Sequence, residues 1–482
     1  MNYRMTAYIL GLIAALEGIL LIIPFVIALS LGESTTYFAF AITIGILLVY
    51  AIPFIIKKPK DTSYRARGGF VVVALAWIQL SVFGAMPFVI SGIIPNVIEA
   101  FFESVSAFTT TGITMLKNPD SLPKSLVFWQ LISQWIGGMG VLVFMVAIIP
   151  KNEPASVHLL KAETPGPQFG KIVSKLKFSA RILYAIYIAL TLLLVVLLLV
   201  GGSSVFDSFT LAFGTASTGG FLYKTTSLAF YDNIYFETII TIFMIIFAIN
   251  FNLFYFVLIG HLKQAIKNEE LRWMISIIVF ATLVITIVNF TENVYNTFSE
   301  SFRYSIFQVV SMTSSSGYLT TDFSQWPAFS QTLLILLMFI GGSSSSAAGG
   351  LKVSRLAILV KTGVCDTKKS ISPRAVASVK MDGRLVSNTI TASVANYFGM
   401  YMLIILMSWL LLSIDSNFDV YSNFTAAVST MNNMGPAVGA NGMVHFSDYS
   451  IFSKLVLVAN MLIGRLEILP IILLVNPKSY LR

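Results

Sequence analysis

The sequence predicts an all-α integral membrane protein. It has ten transmembrane helices, with four membrane–pore loop–membrane repeats around a central pore, plus two extra N-terminal helices. Three observations carry this reading. Apolar residues make up 56% of the 482 and charged residues only 11%, whereas soluble domains carry about 25% charged residues. No soluble fold hides that much apolar surface, so lipid is part of the solvent. Ten apolar runs are long enough to cross a bilayer. Four shorter Ser/Thr/Gly-rich segments recur between those runs in one register. The composition excludes a disordered chain, a coiled coil and a secreted disulfide scaffold. The single cysteine, Cys365, forms no internal disulfide.

Crossing the hydrocarbon takes about 20 apolar residues. Spans are expected near 5–31, 36–56, 69–94, 126–150, 180–202, 236–260, 273–290, 328–360, 390–414 and 451–475. The first reads as a retained helix. It is too long for a signal h-region and lacks a small-residue cleavage site. An even number of spans puts both termini on one side. Basic residues choose that side. Of 31 Lys and Arg, 25 fall on the side of the termini and five on the other, with Arg465 inside a span. The termini are therefore expected in the cytoplasm. The net charge of +9 is a consequence of topology and gives no reason to invoke nucleic acid. Thirteen acids on the outer side face only five bases, a surface that concentrates cations near an entrance.

The short segments align without gaps: FFESVSAFTTTGIT (101–114), FTLAFGTASTGGFL (209–222), IFQVVSMTSSSGYL (306–319) and FTAAVSTMNNMGPA (424–437). Each is a helix-like apolar stretch, then small or polar residues, then one glycine. Repeats this regular signify architecture. They divide the chain into an N-terminal helix pair (1–67) and pore repeats at 68–170, 171–268, 269–375 and 376–482. Extended backbone at membrane depth must be buried in protein or line a water-filled cavity. Four such strands around one axis make a ring of carbonyls able to replace a cation's hydration shell. The expected ring residues are Thr109, Thr110, Thr111 and Gly112; Ser217, Thr218, Gly219 and Gly220; Ser314, Ser315, Ser316 and Gly317; and Asn432, Asn433, Met434 and Gly435.

The eighth span is broken by Gly341, Gly342, Ser343, Ser344, Ser345, Ser346, Ala347, Ala348, Gly349 and Gly350. The apolar stretch before it is too short to cross alone, so the break is expected inside the membrane. Glycine and serine there suit a gate. Arg465 is the exceptional charge, since an arginine near a helix centre costs roughly 3 kcal/mol or more unless paired or hydrated. It is expected to face the pore below the ring, repelling cations and binding the gate loop. Glu467, two residues on, points to another helix face. Asn250 and Asn252 either face the pore or bond to a neighbouring helix. Gly137, Gly138 and Gly140 make a close helix contact or line the pore. Glu17 is expected to make a structural hydrogen bond. His158, His261 and His445 share no metal spacing. No HExxH, Walker A or GxSxG motif is present, and nothing supports an enzyme.

Taken together, the four loops, the stretch QWIGGMGVLVFMVAIIP (134–150), the break GGSSSSAAGGLKVSR (341–355) and IGRLE (463–467) resemble the Trk/Ktr/HKT superfamily of potassium transporters. Two extra N-terminal spans point to its TrkH branch, since KtrB lacks them. The resemblance covers essentially the whole chain. It implies K⁺ as the transported ion, held at the ring residues alone, with no cofactor bound by this chain. It also implies a homodimer with one pore per protomer, in the bacterial inner membrane. A cytoplasmic nucleotide-binding regulatory subunit of TrkA type is expected to gate it. In related plant transporters a serine at the first-loop glycine goes with sodium, so Gly112 points to potassium. The basic loops 151–179 and 352–388 suit either such a partner or anionic membrane lipid.

The expected function is uptake of K⁺ and Rb⁺ over Na⁺, gated by the broken span and Arg465. The alternative is an alternating-access secondary transporter coupled to Na⁺ or H⁺, which needs paired halves around one site. Four equivalent loops disfavour it. An intramembrane enzyme needs a nucleophile with a partner or a metal pair, and the sequence offers neither.

Overall fold

The computed structural model describes residues 2–57, 59, 66–140, 176–374, 377–440 and 442–477. The second half of the fourth expected span (141–150), the loop that follows to residue 175 with His158, and the last basic residues lie outside the described residues. Among the described residues the chain is mostly helical, with two small two-stranded hairpins and no closed sheet.

Tyr3–Ser30 opens on Asn2, whose side chain accepts from the Met5 N–H, and packs along Ser34–Ile56. Both keep apolar residues such as Ile19, Val26 and Val49 on the outside, as a lipid-facing helix does. Among the described residues, Ala66–Ile90, Leu176–Val200, Glu269–Thr291 and Asn388–Leu412 complete six helices long and apolar enough to cross singly. The sixth and tenth expected spans are not straight. Ile234–Ala248 and Phe251–Leu258 meet at 92°, and Ile451–Leu466 and Ile468–Val475 meet at 118°. The first bend falls at Asn250, which caps the second helix by accepting from Asn252 N–H at 3.0 Å. The second falls at Glu467, whose φ is +58°. Apolar runs reveal length, but a bend set by one residue's backbone leaves no trace in hydropathy.

Four short helices enter between the spans: Val97–Phe108, Val205–Ala216, Phe298–Thr313 and Val420–Met431. Each begins at a capping side chain (Asn96, Ser204, Thr297 and Asp419) that accepts a first-turn N–H. Their packing is cyclic. The helix after the first loop, Lys124–Met139, lies on the second pore helix. Ile234–Ala248 lies on the third, Ala328–Ile340 on the fourth, and Ile451–Leu466 on the first. Each repeat thus leans on the next, and the last closes on the first.

One ion pair reinforces a seam. Arg303 on the third pore helix donates from Nε and Nη2 to Glu237 at 2.6 and 2.7 Å. Glu237 is buried and Arg303 about a quarter exposed. Removing the carboxylate leaves a partly desolvated guanidinium. Glu237→Ala is expected to cost about 2 kcal/mol after allowance for that exposure, read as a lowered melting temperature in detergent. An unchanged melting temperature would show the pair to be idle.

Candidate functional site

The four pore helices end at Phe108, Ala216, Thr313 and Met431, immediately before the expected ring residues. A helix C-terminus carries about half a negative charge, so four directed inward favour a cation between them. The backbone then takes one path four times. Thr110, Thr218, Ser315 and Asn433 are left-handed, with φ of 58°, 55°, 53° and 50°. Two residues later Gly112, Gly220, Gly317 and Gly435 again have positive φ. A β-branched residue at positive φ is a genuine outlier, and such strain costs about 1–3 kcal/mol. Its repetition at one register marks a shape the fold imposes. The N–H groups turn back to the pore helices: Thr110 to Ala107 at 3.0 Å, Thr218 to Thr215 at 3.1 Å, Ser315 to Met312 at 3.3 Å and Asn433 to Thr430 at 3.3 Å.

The carbonyls close the ring in chain order. A Cβ on Gly112 would stand 1.8 Å from the Gly219 oxygen, one on Gly220 1.8 Å from that of Ser316, one on Gly317 2.0 Å from that of Met434, and one on Gly435 2.7 Å from that of Thr111. Repeat one touches two, two touches three, three touches four, and four touches one. The four expected loops are therefore brought together through Thr111, Gly112, Gly219, Gly220, Ser316, Gly317, Met434 and Gly435. Asn433 also donates from Nδ2 to Thr111 Oγ1 at 3.1 Å and to the Met461 carbonyl at 2.8 Å, while Tyr401 donates to Asn432 Oδ1 at 2.6 Å.

Directly beneath lies the break in the eighth span. Ala328–Ile340 stops at Gly341, and a new helix, Val353–Ile371, starts after Lys352. The intervening loop leaves and returns at one point: Leu351 N–H bonds the Phe339 carbonyl at 3.1 Å and Lys352 N–H that of Ile340 at 2.9 Å. It is almost wholly buried, so it is no flexible turn at a cytoplasmic helix end. A Cβ on Gly349 would lie 2.1 Å from the Asn432 oxygen, and Gly349 N–H donates to Ser315 Oγ at 2.6 Å. The loop is pressed against the ring itself.

Repeats two, three and four hold it directly, and repeat one is joined to it through Arg465. Arg465 donates from Nη1 to the Ala347 carbonyl and from Nη2 to Gly138, each at 2.8 Å, and also to the Gly137 carbonyl. A residue of repeat four thereby ties repeat one to the loop of repeat three. From repeat two, the Ala248 carbonyl accepts from Ser343 N–H at 2.9 Å. Lys352 adds a bond from Nζ to the Ala348 carbonyl. Glu270 accepts from Ser344 N–H at 2.6 Å and from Ser344 Oγ at 2.8 Å. Gly137 makes the close helix contact open to it from sequence: a Cβ there would meet the Phe108 oxygen at 2.0 Å.

The chain has counterparts among known proteins. Residues 35–480 match the TrkH family model, a cation transport protein. The Trk system potassium uptake protein TrkH of Escherichia coli (strain K12) is 35% identical, covering 99% of each chain. That of Vibrio parahaemolyticus serotype O3:K6 is 34% identical over the same share. The chain belongs to the TrkH family. The crystal structure of the potassium transporter TrkH from Vibrio parahaemolyticus superposes on it with a TM-score of 0.90 at 32% identity, covering 100% of both chains. TrkH proteins are membrane-spanning transporters, not enzymes. Among the described residues no three His, Cys, Asp or Glu side chains form a metal cluster.

Within this TrkH frame several partnerships escaped the sequence. Glu467 pairs with Arg355 at 2.7 Å, and the Arg355 guanidinium lies 3.8 Å from the Tyr397 ring centroid. Glu270, at the start of the seventh span, binds the loop 341–350 through Ser344. A carboxylate at a span end next to basic loops looks like ordinary topology, so only the fold distinguishes it. Asn250 lies 3.5 Å from that same carboxylate, besides capping its helix. The expected hydrogen bond of Glu17 is a correction. Both its oxygens are buried with no hydrogen-bond partner among the described residues, as is Ser104 Oγ. The wall it faces contains Gly84, which has no side chain to offer a donor.

Proposed function

We propose that this chain conducts K⁺ and Rb⁺ into the cell in preference to Na⁺, through the ring of four pore loops. The supporting observation is the cyclic closure of carbonyls on glycines. With the N–H groups bonded back to the pore helices, the carbonyl oxygens stand in for water around a dehydrated cation. The helix C-termini add negative potential. An inside-negative membrane potential drives uptake, contributing about 2.3 kcal/mol per unit charge per 100 mV. Fourfold equivalence supports a fixed pore over alternating access of two halves.

In this reading the loop 341–350 is the gate, and Arg465 is both its latch and a positive barrier to cations. Opening requires the loop to leave Ser315, Asn432, Ala248 and Glu270. A cytoplasmic regulatory subunit of TrkA type supplies that work, acting on a homodimer in the bacterial inner membrane with cytoplasmic termini. The names of the relatives, Trk system potassium uptake proteins, support potassium as cargo and a multi-component system. ⁸⁶Rb⁺ uptake into proteoliposomes, with K⁺ and Na⁺ as competitors, tests the selectivity. Competition by Na⁺ as strong as by K⁺ would refute it.

Glu270→Ala gives a separate check of the gate. Loss of two carboxylate hydrogen bonds to Ser344 removes about 1.5–3 kcal/mol each from the held state. Basal uptake is expected to rise by at least tenfold. Unchanged basal uptake in folded protein would remove Glu270 from the gate.

A further inference from the structure

We infer that Gln134 is a specificity-positioning residue, a wedge that sets the spacing of the first and second pore strands. It rests on the reading of the ring as the ion filter. Gln134 lies on Lys124–Met139, the helix that carries repeat one onto the second pore helix. Its side chain is fully buried, and neither amide atom has a hydrogen-bond partner among the described residues. Such an amide is retained at a cost, so its place needs a reason.

Its neighbours supply one. A Cβ on Gly219 would stand 2.1 Å from Gln134 Nε2, 2.6 Å from Cδ and 2.9 Å from Cγ. A Cβ on Gly112 would stand 3.3 Å from the same Nε2. The amide therefore occupies the volume that a side chain at position 219 would fill, at the seam where the Gly219 oxygen meets Gly112. The position before the ring glycine is Thr111, Gly219, Ser316 and Met434 in the four repeats. Repeat two alone has no side chain there. Gly219 is absent from the positive-φ positions, so its backbone does not demand glycine. Gln134 does. The fourth strand has a partner of another kind, with Asn433 reaching Thr111, and Pro436 lies against Gly317 at the third seam. At the first seam the spacing of strands is set from behind by Gln134.

The test is ⁸⁶Rb⁺ uptake in proteoliposomes with K⁺ or Na⁺ as competitor, on the wild type, Gln134→Ala, Gly219→Ala and the double variant. Gln134→Ala opens the seam and is expected to lower the K⁺ over Na⁺ preference severalfold while Rb⁺ still passes. Gly219→Ala alone forces a methyl into the amide and is expected to lower the preference too. The double variant puts a small side chain back into the vacated volume and is expected to recover much of the wild-type ratio. A purely structural role would reduce folded yield or total flux and leave the ratio intact. Wild-type selectivity in Gln134→Ala overturns the inference, as does failure of the double variant to improve on Gly219→Ala. The second comparison stands even if Gln134→Ala does not fold. Selective wild type with a nonselective Gly112→Ser leaves the filter reading standing whatever Gln134 does. Absence of K⁺-selective uptake in the wild type overturns the filter reading and this inference with it.

Discussion

Gly112→Ser is expected to lose most of the proposed discrimination between K⁺ and Na⁺ in competition assays of ⁸⁶Rb⁺ uptake. The reason is steric. Even the first side-chain atom would stand 1.8 Å from the Gly219 carbonyl oxygen, where carbon and oxygen normally keep about 3.3 Å or more. The second strand must withdraw by about 1.5 Å to restore that contact. Gly112 also has a φ of +76°, which a serine adopts only with strain. A ring distorted at one of four seams no longer matches the larger ion, and the smaller, more tightly hydrated one gains. Gly220 and Gly317 meet their neighbours as closely, whereas Gly435 has more room. The same substitution at Gly435 is therefore expected to do less. Unchanged selectivity in a folded Gly112→Ser protein would remove this ring from the role of filter.

Arg465→Ala is expected to raise basal uptake by this chain alone. The side chain donates to the carbonyls of Ala347, Gly137 and Gly138, so its removal releases the loop from two repeats at once. Hydrogen bonds to a charged group contribute about 1.5–3 kcal/mol each. Loss of about 3 kcal/mol shifts the held-to-released ratio about a hundredfold. Truncation also removes a positive charge from below the ring, which lowers the barrier to a passing cation. Both effects have one sign. Lower flux from a folded Arg465→Ala protein would show that the arginine supports the open path.

The fold was legible where the signal was repetitive. Apolar length marks spans, and four in-register glycines mark the loops that the structure brings to one ring. The break after Ile340 was legible because glycine and serine interrupt an apolar run. What stayed hidden depends on contacts distant in sequence. Glu270 and Ser344 are 74 residues apart, and Arg355 and Glu467 are 112 apart. No local pattern joins them. Gln134 read as part of a helix, and its meaning depends on a missing side chain at Gly219. Glu17 illustrates the opposite error, since a polar residue in a span suggests a partner that the facing Gly84 does not provide.

The most direct measurement is ⁸⁶Rb⁺ uptake into proteoliposomes by the chain lacking residues 343–348 of the loop proposed as the gate. Faster uptake than by the intact chain is expected, suppressed by external K⁺ and insensitive to equal Na⁺. No uptake by the folded deletion variant, or suppression by Na⁺ as effective as by K⁺, would contradict it.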